Sequence, residues 1–189
     1  MFHTANHDDI KRGAVTDVYF ARTLEILKKT GVDRRVRAEF FAKNLPQGWQ
    51  WAMLTGVEEV VRLMEGKKVN IRSFREGEVF YPWEPVMEIE GMYTDFCVFE
   101  TAMLGLLCQA TGVATKAARI KRAAGDKAVV SFGARRMHPA IAPMIERAAY
   151  IGGCDGVSVM ASAKLLDVDP MGTMPHSLVL VLGDTVKAI

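Results

Sequence analysis

Two adjacent arginines, Arg135 and Arg136, follow a short apolar run, AVVSF over 128–132, and stand one residue before His138, Pro139 and a helix-like segment. A pair of fixed positive charges does nothing for a sheet, whereas two guanidinium forks beside an aromatic ring suit a carboxylate or a phosphate. Phe132 supplies the ring, and Ser158 and Thr173 add hydroxyls in two further short runs, GVSVM (156–160) and PMGTM (170–174). Together these types describe a site for an aromatic acid or a phosphorylated ligand. His138, before Pro139, reads equally as a structural residue or as one facing the substrate.

Such residues need elements that bring strand ends together. After Gly125 the sequence predicts three βα units: strand 128–132, helix 139–153, strand 156–160, helix 161–167, strand 170–174 and helix 176–184. Short loops between alternating elements indicate a parallel sheet or barrel, in which ligands sit at the carboxyl ends of the strands. Three units do not close an eight-stranded barrel, which takes about 250 residues. The segment is therefore either a small open sheet or the first part of something longer, and the ending GDTVKAI carries no stop signal.

Upstream, Asp17 to Lys29 has helical spacing, with Thr16 or Asp17 as N-cap and Gly31 as the stop. Residues 36–41 read as a strand, and Gly48 to Glu65 as an amphipathic helix ending at Gly66. VNIRSF, EVFY and VMEIEG are short β-like runs within 69–92. Thr94 to Ala110 is helical, closed by Gly112, before a second helix from Val113 to Ala124.

Half of the 189 residues are hydrophobic, and 24 basic against 22 acidic side chains leave a net charge of +2. This is a folding chain without the basic stripe that a nucleic-acid partner requires. Cys97, Cys108 and Cys154 form no C-x-x-C pair, which argues against a disulfide framework or zinc site and for a reducing cytoplasm. The first twenty residues lack an apolar core, and the longest aliphatic run, Leu178 to Leu182, is far too short to span a membrane. His3 and His7 have metal-ligand spacing, but at a terminus expected to fray. Lys116, Arg119, Lys121 and Arg122 read as a solvated helix face, or as the rim of a neighbouring subunit's phosphate site.

TDVYF near the start, MEIEGMYTDFCVFETAMLGLL in the middle, and SFGARRMHPAIAPMIERAAYIGGCDGVSVMASAKLLDVDPMGTMPHS resemble the nicotinate phosphoribosyltransferases, especially their archaeal and short bacterial branch, over nearly the whole chain. The resemblance implies an α/β fold: an N-terminal α/β sandwich domain with linking helices, here 1–125, then an irregular TIM-like α/β barrel, whose first three βα units fall in 126–189. It implies transfer of the 5-phosphoribosyl group from phosphoribosyl pyrophosphate to nicotinic acid, with Mg²⁺, in the NAD salvage route. Active sites shared across a homodimer or higher homo-oligomer are implied too. Phe132 looks like the aromatic that stacks on the pyridine ring. Tyr19, in a TDxY element with Asp17, looks like the residue contributed by the neighbouring subunit. Arg135 and Arg136 match the pair that handles the carboxylate and a phosphate.

His176 occupies the place of a histidine phosphorylated in branches that couple the reaction to ATP, and reads otherwise as a helix N-cap or surface histidine. Where nicotinamide-using relatives carry an aspartate after the threonine, this chain has Met174, which favours an anionic substrate over a neutral amide. The family is roughly twice this length, and its second half supplies the acidic residues and Gly-rich loop for phosphoribosyl pyrophosphate. That points to a partial chain, inactive by itself. The alternatives are a quinolinate phosphoribosyltransferase-like enzyme and a non-catalytic fragment that keeps the pyridine pocket and dimer interface.

Overall fold

The computed structural model describes residues 2–189. It opens with α1 (His7–Lys11) and α2 (Val18–Thr30). The second helix begins after Asp17 and stops at Gly31, whose φ of 66° is a left-handed conformation that glycine adopts without a Cβ penalty. There follow β1 (Arg35–Phe40), a 3-10 turn (Pro46–Gly48), β2 (Ala52–Met53), α3 (Val57–Met64), β3 (Val69–Ser73), β4 (Val79–Phe80) and β5 (Met87–Met92).

β5 is the central strand of an antiparallel sheet in the order β1-β5-β3. The register sets Ala38 and Ile71 on either side of Ile89, and Val36 and Val69 on either side of Gly91. The two-residue period of a strand then sends Arg35, Arg37, Glu88 and Glu90 to the opposite face, where Arg35 bridges Glu90 at 2.7 Å. The apolar face packs on α3 and on the long helix that follows, with Val60, Ile89 and Met103 all at 0% exposure. Each such fully buried side chain contributes roughly 1.5–3 kcal/mol of burial.

α4 (Tyr93–Phe96) and a 3-10 turn lead into α5 (Glu100–Ala124), which runs through the molecule. The stretch Tyr93–Ala124 is long and apolar enough to cross a membrane by length and composition. Its polar groups nevertheless serve the fold: the Thr115 hydroxyl accepts from the Met53 N–H at 2.9 Å, and Arg119 donates to the Trp51 carbonyl at 3.0 Å. Met103, Leu107, Ala110, Ala114 and Ala117 are buried, so α5 is a core helix. The chain continues as β6 (Val130–Ser131), 3-10 turns at Gly133–Arg136 and Pro139–Ile141, α6 (Ala142–Ile151), β7 (Gly156–Val157), α7 (Met160–Leu166), α8 (His176–Leu182) and α9 (Thr185–Ala188). α6 lies so close on α5 that a Cβ at Gly152 would sit 2.5 Å from the Ala114 carbonyl oxygen.

The architecture is α/β, as the sequence implies. Several elements differ from expectation: the strands expected at 128–132 and 156–160 shrink to Val130–Ser131 and Gly156–Val157. The helix expected over Gly48 to Glu65 is confined to Val57–Met64, because the preceding residues pair as β2 with β4 and Gly56 takes φ 91°. Gly112 does not end a helix: α5 passes through it, its Cβ position facing open space while Ala110 and Ala114 pack on either side. The strand expected at 170–174 does not form. That segment is tied to β7 by one backbone bond, from the Met171 N–H to the Val157 carbonyl at 2.8 Å.

Candidate active site

β6 and β7 run parallel, with Val130 opposite Gly156 and Ser131 opposite Val157. Phe132 and Ser158 are the next residues on the two strands, so they leave the sheet side by side at its carboxyl end. The chain after Phe132 turns at once into the 3-10 turn Gly133–Arg136, which carries both arginines. Phe132 is 52% exposed, and Arg135 and Arg136 are exposed. Among the described residues neither guanidinium has a carboxylate partner or a hydrogen bond. Two unpaired forks next to an exposed ring are free to take an anionic aromatic ligand.

His138 caps the next turn: its Nδ1 accepts from the Ala140 N–H at 3.1 Å, which leaves the proton of a neutral ring on Nε2. Ser158 is half-buried, and its hydroxyl donates to Glu146 at 2.8 Å. Thr173 and His176 are exposed and follow the Met171 tie to β7, with His176 as the first residue of α8. Phe132, Arg135, Arg136, His138 and Ser158 therefore lie on the connections leaving this sheet, whereas Thr173 and His176 come after α7, in the segment tied to β7 through Met171.

Asp17 and Tyr19 lie elsewhere, at the start of α2 against the start of α5. The Asp17 N–H donates to the Thr101 hydroxyl at 3.1 Å, and that hydroxyl donates back to the Asp17 carboxylate at 2.9 Å. This reciprocal pair pins α2 and leaves Tyr19 56% exposed. Burial, then the charges of Asp17 and Glu100, push the Tyr19 phenol up, so it stays a neutral donor at physiological pH. No hydrogen bond or ring contact among the described residues joins this corner to the strand-end group.

Ion pairs hold the strand ends in place from behind. Lys121 on α5 binds Asp155 at 2.7 Å, and the same carboxylate accepts from the Val129 N–H at 2.7 Å, fixing where β6 begins. The Lys121 hydrogen bond, then that of Val129, holds the Asp155 carboxyl below the usual carboxylate range. Arg147 on α6 reaches Glu58 at 2.6 Å and Glu76 at 2.7 Å, tying α6 to the first part of the chain. A cleft of about 350 Å³ beside this cluster and an apolar groove of about 450 Å³ between β1, the 41–49 segment and α5 contain none of the strand-end residues. The strand-end group lies on an open face.

Sequence reasoning passed over Glu146. It is a charged residue at 0% exposure beneath Ser158. A signal was available: Ala142, Ile145 and Ala149 place position 146 on the apolar face of α6.

Residues 17–111 match the family model for the N-terminal domain of quinolinate phosphoribosyl transferase, and residues 113–189 match that for its C-terminal domain. The chain belongs to the quinolinate phosphoribosyl transferase family. Within it, the chain is similar to nicotinate phosphoribosyltransferases: it is 29% identical to that of Bacillus subtilis over 92% of this chain and 42% of the relative. The crystal structure of human nicotinic acid phosphoribosyltransferase superimposes with a TM-score of 0.80 at 25% identity, over 88% of this chain and 40% of that one. The crystal structure of a nicotinate-nucleotide pyrophosphorylase from Pyrococcus furiosus superimposes with a TM-score of 0.96 at 54% identity, over 99% of this chain and 48% of that one. The chain thus spans less than half the length of these relatives.

Proposed function

We propose that this chain carries the pyridine-binding part of a nicotinate phosphoribosyltransferase of NAD salvage. The observation that supports this best is Phe132, exposed at the end of β6, followed within four residues by two guanidinium groups with no carboxylate partner. In this reading the nicotinate ring rests on Phe132, and one arginine holds its carboxylate while the other takes a phosphate. Tyr19 of a second copy covers the other ring face, which makes the working form a homodimer or larger oligomer, in the cytoplasm.

The ring nitrogen attacks the anomeric carbon of phosphoribosyl pyrophosphate with its own lone pair. The carbon–oxygen bond to pyrophosphate breaks, and its electron pair leaves with the pyrophosphate. No protein nucleophile is needed, so the contribution of the site is orientation and charge stabilisation. Among the described residues no three His, Cys, Asp or Glu side chains are grouped to hold a metal ion. In this reading Mg²⁺ enters with the pyrophosphate of the substrate. In this reading His176, exposed at the start of α8, is the residue phosphorylated where the reaction is coupled to ATP.

Quinolinate is the second reading, favoured by the family description. Nucleotide formation assayed separately with nicotinate, quinolinate and nicotinamide, the remaining half of the barrel being supplied, decides between them: product from nicotinate alone is expected, and product from quinolinate alone overturns the assignment. Arg135→Ala with Arg136→Ala should lower nicotinate affinity at least about tenfold, the one charge-assisted contact to its carboxylate being worth roughly 1.5–3 kcal/mol. Unchanged binding in calorimetry would remove the arginines from the site.

A further inference from the structure

Glu146 is the one charged side chain among the described residues that is buried, at 0% exposure. One of its oxygens accepts from the Ser158 N–H at 3.2 Å and from the Ser158 hydroxyl at 2.8 Å; the other accepts from the Val159 N–H at 2.9 Å. All three contacts are donors, the arrangement of an ionised carboxylate. No Lys, Arg or His lies within ion-pair distance of it among the described residues. Burying a carboxylate without a cation is costly even when its hydrogen bonds are made. The same loop could be held by an uncharged residue, so the charge itself calls for an explanation.

Position supplies one. Ser158 leaves β7 beside Phe132 leaving β6, on strands about 4.8 Å apart. The hydroxyl proton of Ser158 is committed to Glu146, so towards a ligand the hydroxyl presents only oxygen lone pairs, backed by a full negative charge. A ring resting on Phe132 meets an electron-rich edge rather than a donor. We infer that Glu146, acting through Ser158, is a positioning residue that favours positive charge on the bound pyridine ring. This rests on the pyridine-pocket reading above. When the ring nitrogen bonds to the anomeric carbon and pyrophosphate leaves with the electron pair, the ring becomes a pyridinium cation. No proton moves in this step. The preference therefore falls on the state formed by the reaction rather than on the neutral ring that enters.

Two ligands of nearly the same shape test this without turnover: nicotinate, and N-methylnicotinate, whose ring carries the positive charge. In calorimetric titration of the 189-residue chain, N-methylnicotinate should bind roughly tenfold tighter than nicotinate, the scale expected of a partly screened charge a few ångström from the ring. Glu146→Gln should abolish that preference while changing nicotinate affinity less than about threefold. Ser158→Ala, at a half-buried position that leaves the Glu146 charge in place, should reduce the preference and preserve the fold, with circular dichroism as the check. A ratio unchanged in both variants, or an equal weakening of both ligands, reduces Glu146 to a loop support and overturns the inference. If the wild-type chain binds neither ligand, the pocket reading fails and the inference falls with it; that failure appears in the wild type, the other only in the variants.

Discussion

β1, β3 and β5 are six, five and six residues long, whereas β6 and β7 are two each. Around the longer strands, Leu54, Val60, Met87, Ile89 and Met103 are sealed to 1% exposure or less. In the last part of the chain Leu180, Val181, Val186 and Ile189 are exposed at 81, 83, 83 and 95%. The first region completes its own core. The second is sealed where α6 meets α5, through the alanine clusters Ala110, Ala114, Ala148 and Ala117, Ala149, and around Ile145, Val157 and Ala163. The candidate site sits in the second region, on strands too short to hold it alone, so its geometry is inherited through α5 and α6 and the ion pairs behind them. A site built this way depends on remote packing more than on its own sheet.

The contrast can be broken from either side. The largest effect should come from Gly56→Ala in the first region, where φ is 91° and a Cβ would run into the Leu106 carbonyl oxygen. A loss of about 3 kcal/mol or more is expected, read as a lower urea midpoint, because neither a left-handed backbone nor a helix backbone can yield cheaply. Arg147→Met cuts the tie between the regions and leaves Glu58 and Glu76 facing each other. That should cost about 1–3 kcal/mol and speed hydrogen exchange in α6 more than in β5.

Acid should loosen the second region through Asp155. Its carboxyl is held low in the folded chain, first by Lys121, so its contribution is complete above the unfolded value of about 4 and is lost as pH falls through the folded one. Asp155→Asn should flatten the stability of the isolated chain over that acid window; an unaltered profile between pH 5 and 2 would remove the pair from the account. The smallest effect is expected from Leu180→Lys with Val181→Lys, within about 0.5 kcal/mol, since neither side chain is packed.

Strands β1, β3 and β5 were legible because their buried and exposed residues alternate, and α2 because Asp17 and Gly31 bracket it. That Phe132, Arg135 and Arg136 follow the end of a strand was legible from the apolar run before them; their role as a ligand site is the proposal made above. What could not be read were backbone matters. Gly56 looked like the interior of a helix, because its close approach to the carbonyl of Leu106 lies fifty residues away in sequence. Gly112 looked like a stop, because local propensity disfavours it by about 1 kcal/mol, a deficit that packing of the flanking alanines offsets. The segment at 170–174 has the composition of a strand but meets β7 through a single bond, its Met171 side chain laid where a Cβ of Gly156 would be.

Arg119 offers a last consequence. Its guanidinium lies 4.4 Å from the ring of Trp49 and 4.2 Å from that of Trp51, and the chain has just three tryptophans. Two of the three indoles therefore report on one contact, the seating of the 49–51 segment on α5. Cation-stacked indoles change their emission when the cation withdraws, so the intrinsic fluorescence of this protein is a built-in optical gauge of whether that segment is docked. No label has to be added to follow it, and Arg119→Ala provides the calibration.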